Sequence, residues 1–315
     1  SQVPPERWVF LPSGEDANTS VFAAMQYGSF VLHADRFDAE AFSISQAEVE
    51  AMDPQQRLLL EAACEAFHTA QKDRAALSDS SVGVFVGMAA HDFDTVLKGL
   101  PAGASIYAAT GTNHAIASGR IAFTLGLMGP CCTYETSCSA TLVAAHAARQ
   151  ALRLKECLTT LVAGVNLILH PADTRSFAAA GMLSMRGSCH TFDSRADGYV
   201  RAEACCATIL SDDPGCSAFS LSGSAVRQDG RSASLTAPNG VAQQGVILAA
   251  LVDACVVASA MAQIEAHGTG TPLGDPIEVG SLAAAVLSGR DATATLGLVT
   301  AVKANTGHAE PVAGM

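Results

Sequence analysis

Three residues in this chain are placed where side-chain chemistry can be done: Cys138, His267 and His308. Cys138 lies within CCTYETSCSATLVAAHAARQAL, residues 131–152. There Thr and Tyr among small residues predict a short strand over 131–136. Ala, Leu and Val at helical spacing, without Gly or Pro, predict a helix over 139–152. A cysteine at that join feels the positive end of the helix dipole and its free N–H groups, which favour thiolate over thiol. The same donors point at whatever the sulfur attacks. Taken alone, the stretch reads more readily as a small residue buried at a tight join.

The histidines weigh against that plainer reading. His267 follows a predicted strand in EAHGTGTPLGDPIEVG (265–280), among Gly268, Gly270 and Gly274, with the hydroxyls of Thr269 and Thr271 at alternate positions. Glycines there let a ligand approach the backbone. His308 follows a second predicted strand in VTAVKANTGHAEPVAG (299–314), beside Lys303 and Asn305. Strand C-terminal ends are where α/β sheets place their sites. By residue type alone, Cys138, His267 and His308 also fit a cysteine hydrolase or a metal site.

The rest of the chain must position these groups. Of 315 residues, 49% are hydrophobic and only 15% charged, enough for one large or two modest domains with sheets covered on both faces. A net charge of −12 without Lys/Arg clusters argues against nucleic acid as the main partner. Ten cysteines form no regular framework and no CxxC pair, which predicts reduced thiols in a cytoplasmic setting. The opening SQVPPERW has no apolar signal core, so the chain reads as an internal piece. The apolar run 246–264 contains Asp253 and predicts a buried helix leading to a strand, not a membrane span.

Residues up to about 30 are expected to be irregular. Asp53-Pro54 opens a helix over 55–69 whose apolar face carries Leu58, Leu59, Ala62, Ala66 and Phe67. A strand over 82–86 (VGVFV), a helix over 115–127 broken at Gly126, a strand over 158–168 and one or two strands within 199–210 follow. Asp212-Asp213-Pro214-Gly215 punctuates the chain and predicts a boundary between parts 1–215 and 216–315. The second part is expected to begin with a strand over 219–226, then a helix over 242–257 and a strand over 261–266. Strands alternating with helices imply an α/β fold with a mostly parallel sheet.

ETSCSAT, EAHGTGT and VKANTGHAE resemble the three active-site motifs of β-ketoacyl synthases, condensing enzymes of the thiolase superfamily. DPQQRLLLE, FDSRADGYVRAEA and TAPNG are similar to the ketosynthase domains of modular polyketide synthases, in the same order and over nearly the whole chain. The resemblance implies a five-layered αβαβα sandwich of two similar halves, the second incomplete here. It makes Cys138 the acyl-accepting nucleophile, His267 and His308 the histidine pair of elongating synthases, and Lys303 the group that orders His308. Thr269 and Thr271 would bind the phosphopantetheine arm of an acyl carrier protein. No metal or cofactor bound by the domain itself is implied. A homodimer is, together with an acyltransferase and other synthase domains in the parent chain.

The implied reaction is decarboxylative Claisen condensation of an acyl group on Cys138 with a malonyl-type extender on the carrier. The alternative within the same resemblance is a non-catalytic protein with a scaffolding or chain-length role. Several positions depart from the family pattern: Ser137 for Ala, Ser139-Ala140 for Ser-Ser, and RAEA at 201–204 for Arg-Gly-Glu-Gly. No Gly/Pro turn separates helix from strand near 256–260. Against the family pattern the chain starts after the first strand and stops before a glycine-rich hairpin. The expectation that follows is low solubility and no condensing activity for these 315 residues alone. Cys138 is expected to alkylate ahead of the other cysteines.

Overall fold

The computed structural model describes residues 1–8, 20–213, 219–287 and 298–315. Helix α1 (Pro54–Thr69) starts where sequence predicts, because Asp53 accepts a hydrogen bond from the Gln55 N–H at 2.8 Å and Pro54 occupies the first turn. Its inward face is one residue off the expected one: Leu59, Leu60, Ala63 and Phe67 are buried, while Leu58, Ala62 and Ala66 are only half-buried. The rotation comes from Gln55 and Gln56, which are also buried. Gln55 donates to the Ala90 carbonyl at 3.1 Å, and Gln56 accepts from Arg120 Nε at 2.6 Å. Satisfied polar groups of this kind can share an apolar core.

Strand β1 (Gly83–Gly87) is buried along its whole length. Helix α2 (His114–Leu125) ends at Gly126, whose φ of +72° closes the helix in the left-handed region. Strand β2 (Cys131–Tyr134), a 3-10 turn (Ser137–Ser139) and helix α3 (Ala140–Arg153) form the predicted strand–helix join. Strands β3 (Thr159–Asn166) and β4 (Ala204–Ser211) complete a sheet of order β2-β1-β3-β4. The β1–β2 and β1–β3 pairs are parallel and β3–β4 is antiparallel. Residues 199–202 join no named strand and instead make single bridges, Leu183 to Tyr199, Ser29 to Ala202 and Arg201 to His308.

Helices α1 and α2 cover one face of this sheet, with Leu59, Phe67 and Ile121 packed on Val84, Val86 and Leu161. Helix α3 covers the other face through Ala144, Ala148 and Leu152 against Phe85 and Val162. Small residues bring α3 close to the sheet. A Cβ on Gly87 would lie 2.5 Å from the Thr141 backbone nitrogen, so only glycine permits this approach.

The second part is built differently. Helix α4 (Gly240–Ala254) ends before its expected boundary because Cys255 adopts φ +55° and caps it. That left-handed cysteine supplies the turn for which the sequence holds no Gly or Pro. Strand β5 (Gln263–Glu265), helix α5 (Gly274–Leu282), strand β6 (Leu298–Thr300) and the short helix α6 (Lys303–Thr306) follow. β5 and β6 pair in parallel. No strand forms over 219–226. Its backbone is held by side chains of the neighbouring helices: Arg149 donates to the carbonyls of Leu221 (3.1 Å) and Ser222 (2.6 Å), and Ser224 N–H donates to Asp253 (3.0 Å). Groups satisfied in this way need no strand partner.

A short helix (Ser20–Ala24) interrupts the expected irregular start. The predicted turn at Pro214-Gly215, and with it the 215/216 boundary, lies outside the described residues. Among the described residues no helix is long and apolar enough to cross a membrane.

Candidate active site

The nucleophile's position is set by a bend in the backbone. After β2, Ser137 takes φ +54°, a conformation that costs energy for a residue with a side chain, and the chain turns at once into the 3-10 turn carrying Cys138. Ser139 Oγ donates to the Thr136 carbonyl at 2.8 Å and closes this turn. Cys138 is half-buried at the N-terminal end of α3. Its thiol is pushed up by burial, against the downward pull of its own backbone N–H and of Lys303. The sequence-based expectation of a thiol favouring thiolate therefore does not hold. Burial outweighs the helix terminus here, while Cys131, Cys132 and Cys255 are exposed and would compete for an alkylating reagent.

The histidine loops are fixed by acids of the following helix. Glu278 of α5 accepts from the His267 N–H (2.6 Å) and the Gly268 N–H (2.8 Å). The buried Asp275 accepts from the Gly270 N–H at 3.1 Å and the Phe192 N–H at 2.8 Å. Gly270 has φ +79° and sits against the backbone nitrogen of His190, where an added Cβ would lie 2.8 Å away. Sequence reasoning named the glycines and threonines of this loop but not Asp275 and Glu278. Their signal was present as two acids three residues apart, one turn of helix after a Gly/Pro loop.

His308 is held by the first part of the chain. Its N–H donates to the Val200 carbonyl (2.8 Å), and its own carbonyl accepts from the Ala202 N–H (2.9 Å). Beyond it, Glu310 forms a two-pronged ion pair with buried Arg201, at 2.5 Å to Nε and 2.9 Å to Nη2. The Thr141 hydroxyl of α3 donates to the Pro311 carbonyl and ties this loop to the nucleophile helix.

These restraints bring Cys138 Sγ and a ring nitrogen of each of His267 and His308 within 4.8 Å of one another. The two imidazoles meet edge to face at 5.3 Å, and Tyr199 packs on His308 at 5.1 Å. His308 is buried. His267 is exposed toward an open cavity that it lines. Although the residue as a whole opens to the cavity, desolvation of its ring within the site, then the Lys303 charge, pushes His267 down to about 4. Burial, His267 and Lys303 push His308 down to about 3. Both rings are therefore neutral at physiological pH. Lys303 is buried, its ammonium disfavoured by burial and supported by Glu278 and Glu265. The expected contact through which Lys303 would order His308 is not made at Nδ1, which is buried without a partner. Lys303 reaches both rings by its field instead. That positive charge also opposes a metal cation among the Cys-His-His donors.

Thr269 lines the cavity with Cys138 and His267. Thr271 does not; its hydroxyl accepts from the Gly274 N–H at 3.1 Å and caps α5. The cavity measures about 920 Å³, and Leu142, Val246, Ile247, Leu251 and Met261 make its wall largely apolar.

The Beta-ketoacyl synthase, N-terminal domain family matches residues 1–214, and the Beta-ketoacyl synthase, C-terminal domain family matches 218–315. The chain belongs to the β-ketoacyl synthase family. Over its full length it is 41% identical to one of the phenolphthiocerol/phthiocerol polyketide synthase polypeptides of Mycobacterium tuberculosis, of which it spans 17%. Another polypeptide of that synthase, from the same organism, is 44% identical over 89% of this ketosynthase chain, which spans 13% of it. Among solved structures, the ketosynthase from module 6 of the bacillaene synthase of Bacillus subtilis superposes with a TM-score of 0.89 at 31% identity, covering all of this chain and 54% of that one. An oxazolomycin ketosynthase domain of Streptomyces albus gives 0.87 at 32%, covering 56% of its own length. The fold is thus thiolase-like, and the ketosynthase chain is a small part of the curated relatives it matches.

Proposed function

We propose that Cys138, His267 and His308 carry out decarboxylative condensation in polyketide chain elongation. The observation that carries the reading is the convergence of three reactive atoms, from three distant segments, within 4.8 Å, with Cys138 and His267 lining an apolar cavity.

In this reading an acyl thioester on the phosphopantetheine arm of an acyl carrier protein transfers to Cys138 Sγ, and the arm's thiol leaves. Thr269 lines the path by which the arm would enter. A malonyl-type extender on a carrier then loses CO₂, and its C–C bonding pair becomes an enolate whose thioester oxygen is the developing negative charge. Neutral His267 and His308 donate hydrogen bonds to that oxygen without giving up a proton, which their depressed basicity supports. The enolate carbon attacks the acyl–Cys138 carbonyl, the C–S bond breaks, and the thiolate takes up a proton. The raised thiol makes Cys138 a good nucleophile once ionised. Lys303, whose charge pulls the thiol down, favours that ionisation. The domain itself calls for no metal or cofactor in this scheme.

The proposal includes a homodimer, with acyltransferase and carrier domains in the parent chain. Strand β2 is a sheet edge whose Cys131 and Cys132 are exposed, which suits pairing with a second copy. A cytoplasmic, thiol-reducing setting belongs to the same reading.

The test separates the two half-reactions in a ketosynthase containing this chain. Cys138→Ala should accept no acyl group from acyl-carrier. His267→Ala and His308→Ala should still become acylated but fail to release CO₂ from malonyl-carrier. A histidine variant that condenses at near wild-type rate would remove that residue from the role of enolate donor.

A further inference from the structure

The bend that carries Cys138 is strained, and it has to be held from both sides. Ser137 takes φ +54°, a conformation that persists only where the surroundings fix it. On the downstream side, Ser139 is bonded back to Thr136 and α3 is packed against the sheet. On the upstream side, the β1–β2 ladder ends at the Gly87–Tyr134 pair, one residue before Glu135. We propose that Glu135, gripped at both carboxylate oxygens by His91 and His114, is a positioning residue that holds this upstream side and so aims Cys138. Such a role rests on the reading of Cys138 as the acyl acceptor.

His91 Nε2 lies 3.2 Å from Glu135 Oε1, and His114 Nδ1 lies 3.3 Å from Glu135 Oε2. The two rings stack in parallel, 3.8 Å apart at 11°, which sets one nitrogen of each side by side, as the two oxygens of a single carboxylate are. His91 follows β1 and heads the helix Asp92–Lys98 without capping it through its ring, while His114 is the first residue of α2. One side chain therefore ties the end of β2 both to the end of β1 and to the start of α2.

The Glu135 side chain is 52% exposed, and a pair between two mobile surface groups would fix nothing. Its partner on one side is not mobile. The His114 side chain is only 9% exposed, and its Nε2 lies 3.0 Å from the Ala90 carbonyl, which can only accept, so Nε2 donates there. Nδ1 and Oε2 are then joined by one shared proton, and the ring is held at both nitrogens. Glu135 does not line the cavity shared by Cys138 and His267, so it acts through the bend and not on the substrate. Acyl transfer is the step that depends on where Cys138 Sγ points. Decarboxylation depends on His267 and His308, which are held by other bonds.

Single-turnover acylation of Cys138 from an acyl-carrier, and CO₂ release from malonyl-carrier, should be followed in a ketosynthase containing this chain. Glu135→Ala should slow acylation about tenfold to a hundredfold, the cost of a nucleophile displaced by up to about 1 Å. The acyl-carrier concentration for half-maximal rate, and CO₂ release, should change far less. Glu135→Gln should recover most of the acylation rate, because its amide can accept from His91 and donate to His114 Nδ1. Ser137→Gly in the Glu135→Ala background should recover it too, since glycine adopts a positive φ without being held there. Because Glu135 is half-exposed, its replacement opens no cavity in the core, and circular dichroism can confirm that each variant folds. Acylation at the wild-type rate in Glu135→Ala would overturn the proposal, as would equal losses in both half-reactions or failure of either rescue. Absence of acyl-Cys138 in the wild type would instead overturn the reading of the nucleophile.

Discussion

The two parts of the chain hold their reactive groups by different means. In the first, a sheet covered on both faces buries β1 and β3 completely, and Cys138 is fixed because α3 can take only one seat against Gly87 and Phe85. In the second, α4 has no fully buried residue and β5 pairs only with β6 among the described residues. His267 and His308 owe their positions to carboxylates and to the 190–202 segment of the first part, through Asp275, Glu278, the Val200–His308 bonds and the Arg201–Glu310 pair. The nucleophile is thus positioned by packing, and the histidines by polar docking onto that packed body. Packing is broad and tolerant of single losses; a docked loop depends on a few named bonds.

The largest test of that contrast is Glu310→Ala. It leaves the Arg201 charge buried without its partner, a loss of about 3–5 kcal/mol for pairs of this kind. Urea denaturation should show that destabilisation. Decarboxylation should fall by about a hundredfold or more, since a site loosened by about 1 Å can lose that much, while acylation of Cys138 falls far less. Equal losses in both half-reactions would erase the distinction between the two parts.

Gly87→Ala probes the packed side. Its methyl would collide with the Thr141 nitrogen, and overpacking of this sort costs about 1–3 kcal/mol. Acylation should suffer at least as much as decarboxylation, the reverse of Glu310→Ala. Glu278→Gln is milder. It removes the charge that accepts from the His267 and Gly268 N–H groups, and should cut decarboxylation about tenfold and lower the denaturation midpoint by less than Glu310→Ala does, charged hydrogen bonds contributing about 1.5–3 kcal/mol.

The smallest effect is in pH. His267 and His308 titrate below the usual 6.5, at about 4 and about 3, so the unfolded chain binds more protons than the folded one between those values and 6.5. Their contribution to stability is present above pH 6.5 and is lost as pH falls through the folded values. Denaturation midpoints of His267→Gln should therefore fall less steeply than wild type between pH 6.5 and 4. A parallel decline would mean that the fold does not hold His267 neutral.

What the sequence determined by itself is the local chemistry. Apolar runs set the strands at 83–87 and 159–166, because short uncharged segments rich in β-branched residues suit the interior of a sheet. The Asp53-Pro54 and Gly126 signals set two helix ends, since capping is a matter of neighbouring residues. Cys138, His267, His308, Lys303 and Thr269 were readable from motifs whose spacing places them just after strands or at a helix start. Tertiary structure decided whatever depends on groups distant along the chain. It turned α1 by one residue because Arg120 and Ala90 satisfy its glutamines, and it left 219–226 unpaired because Arg149 and Asp253 hold that backbone. It diverted Thr271 to capping α5, left His308 Nδ1 without a hydrogen-bond partner, and raised the Cys138 thiol where the helix end alone would have lowered it. It also drew His91 and His114, unremarkable in sequence, onto opposite oxygens of Glu135. Burial and long-range pairing set these outcomes, and neither is a property of any short stretch of residues.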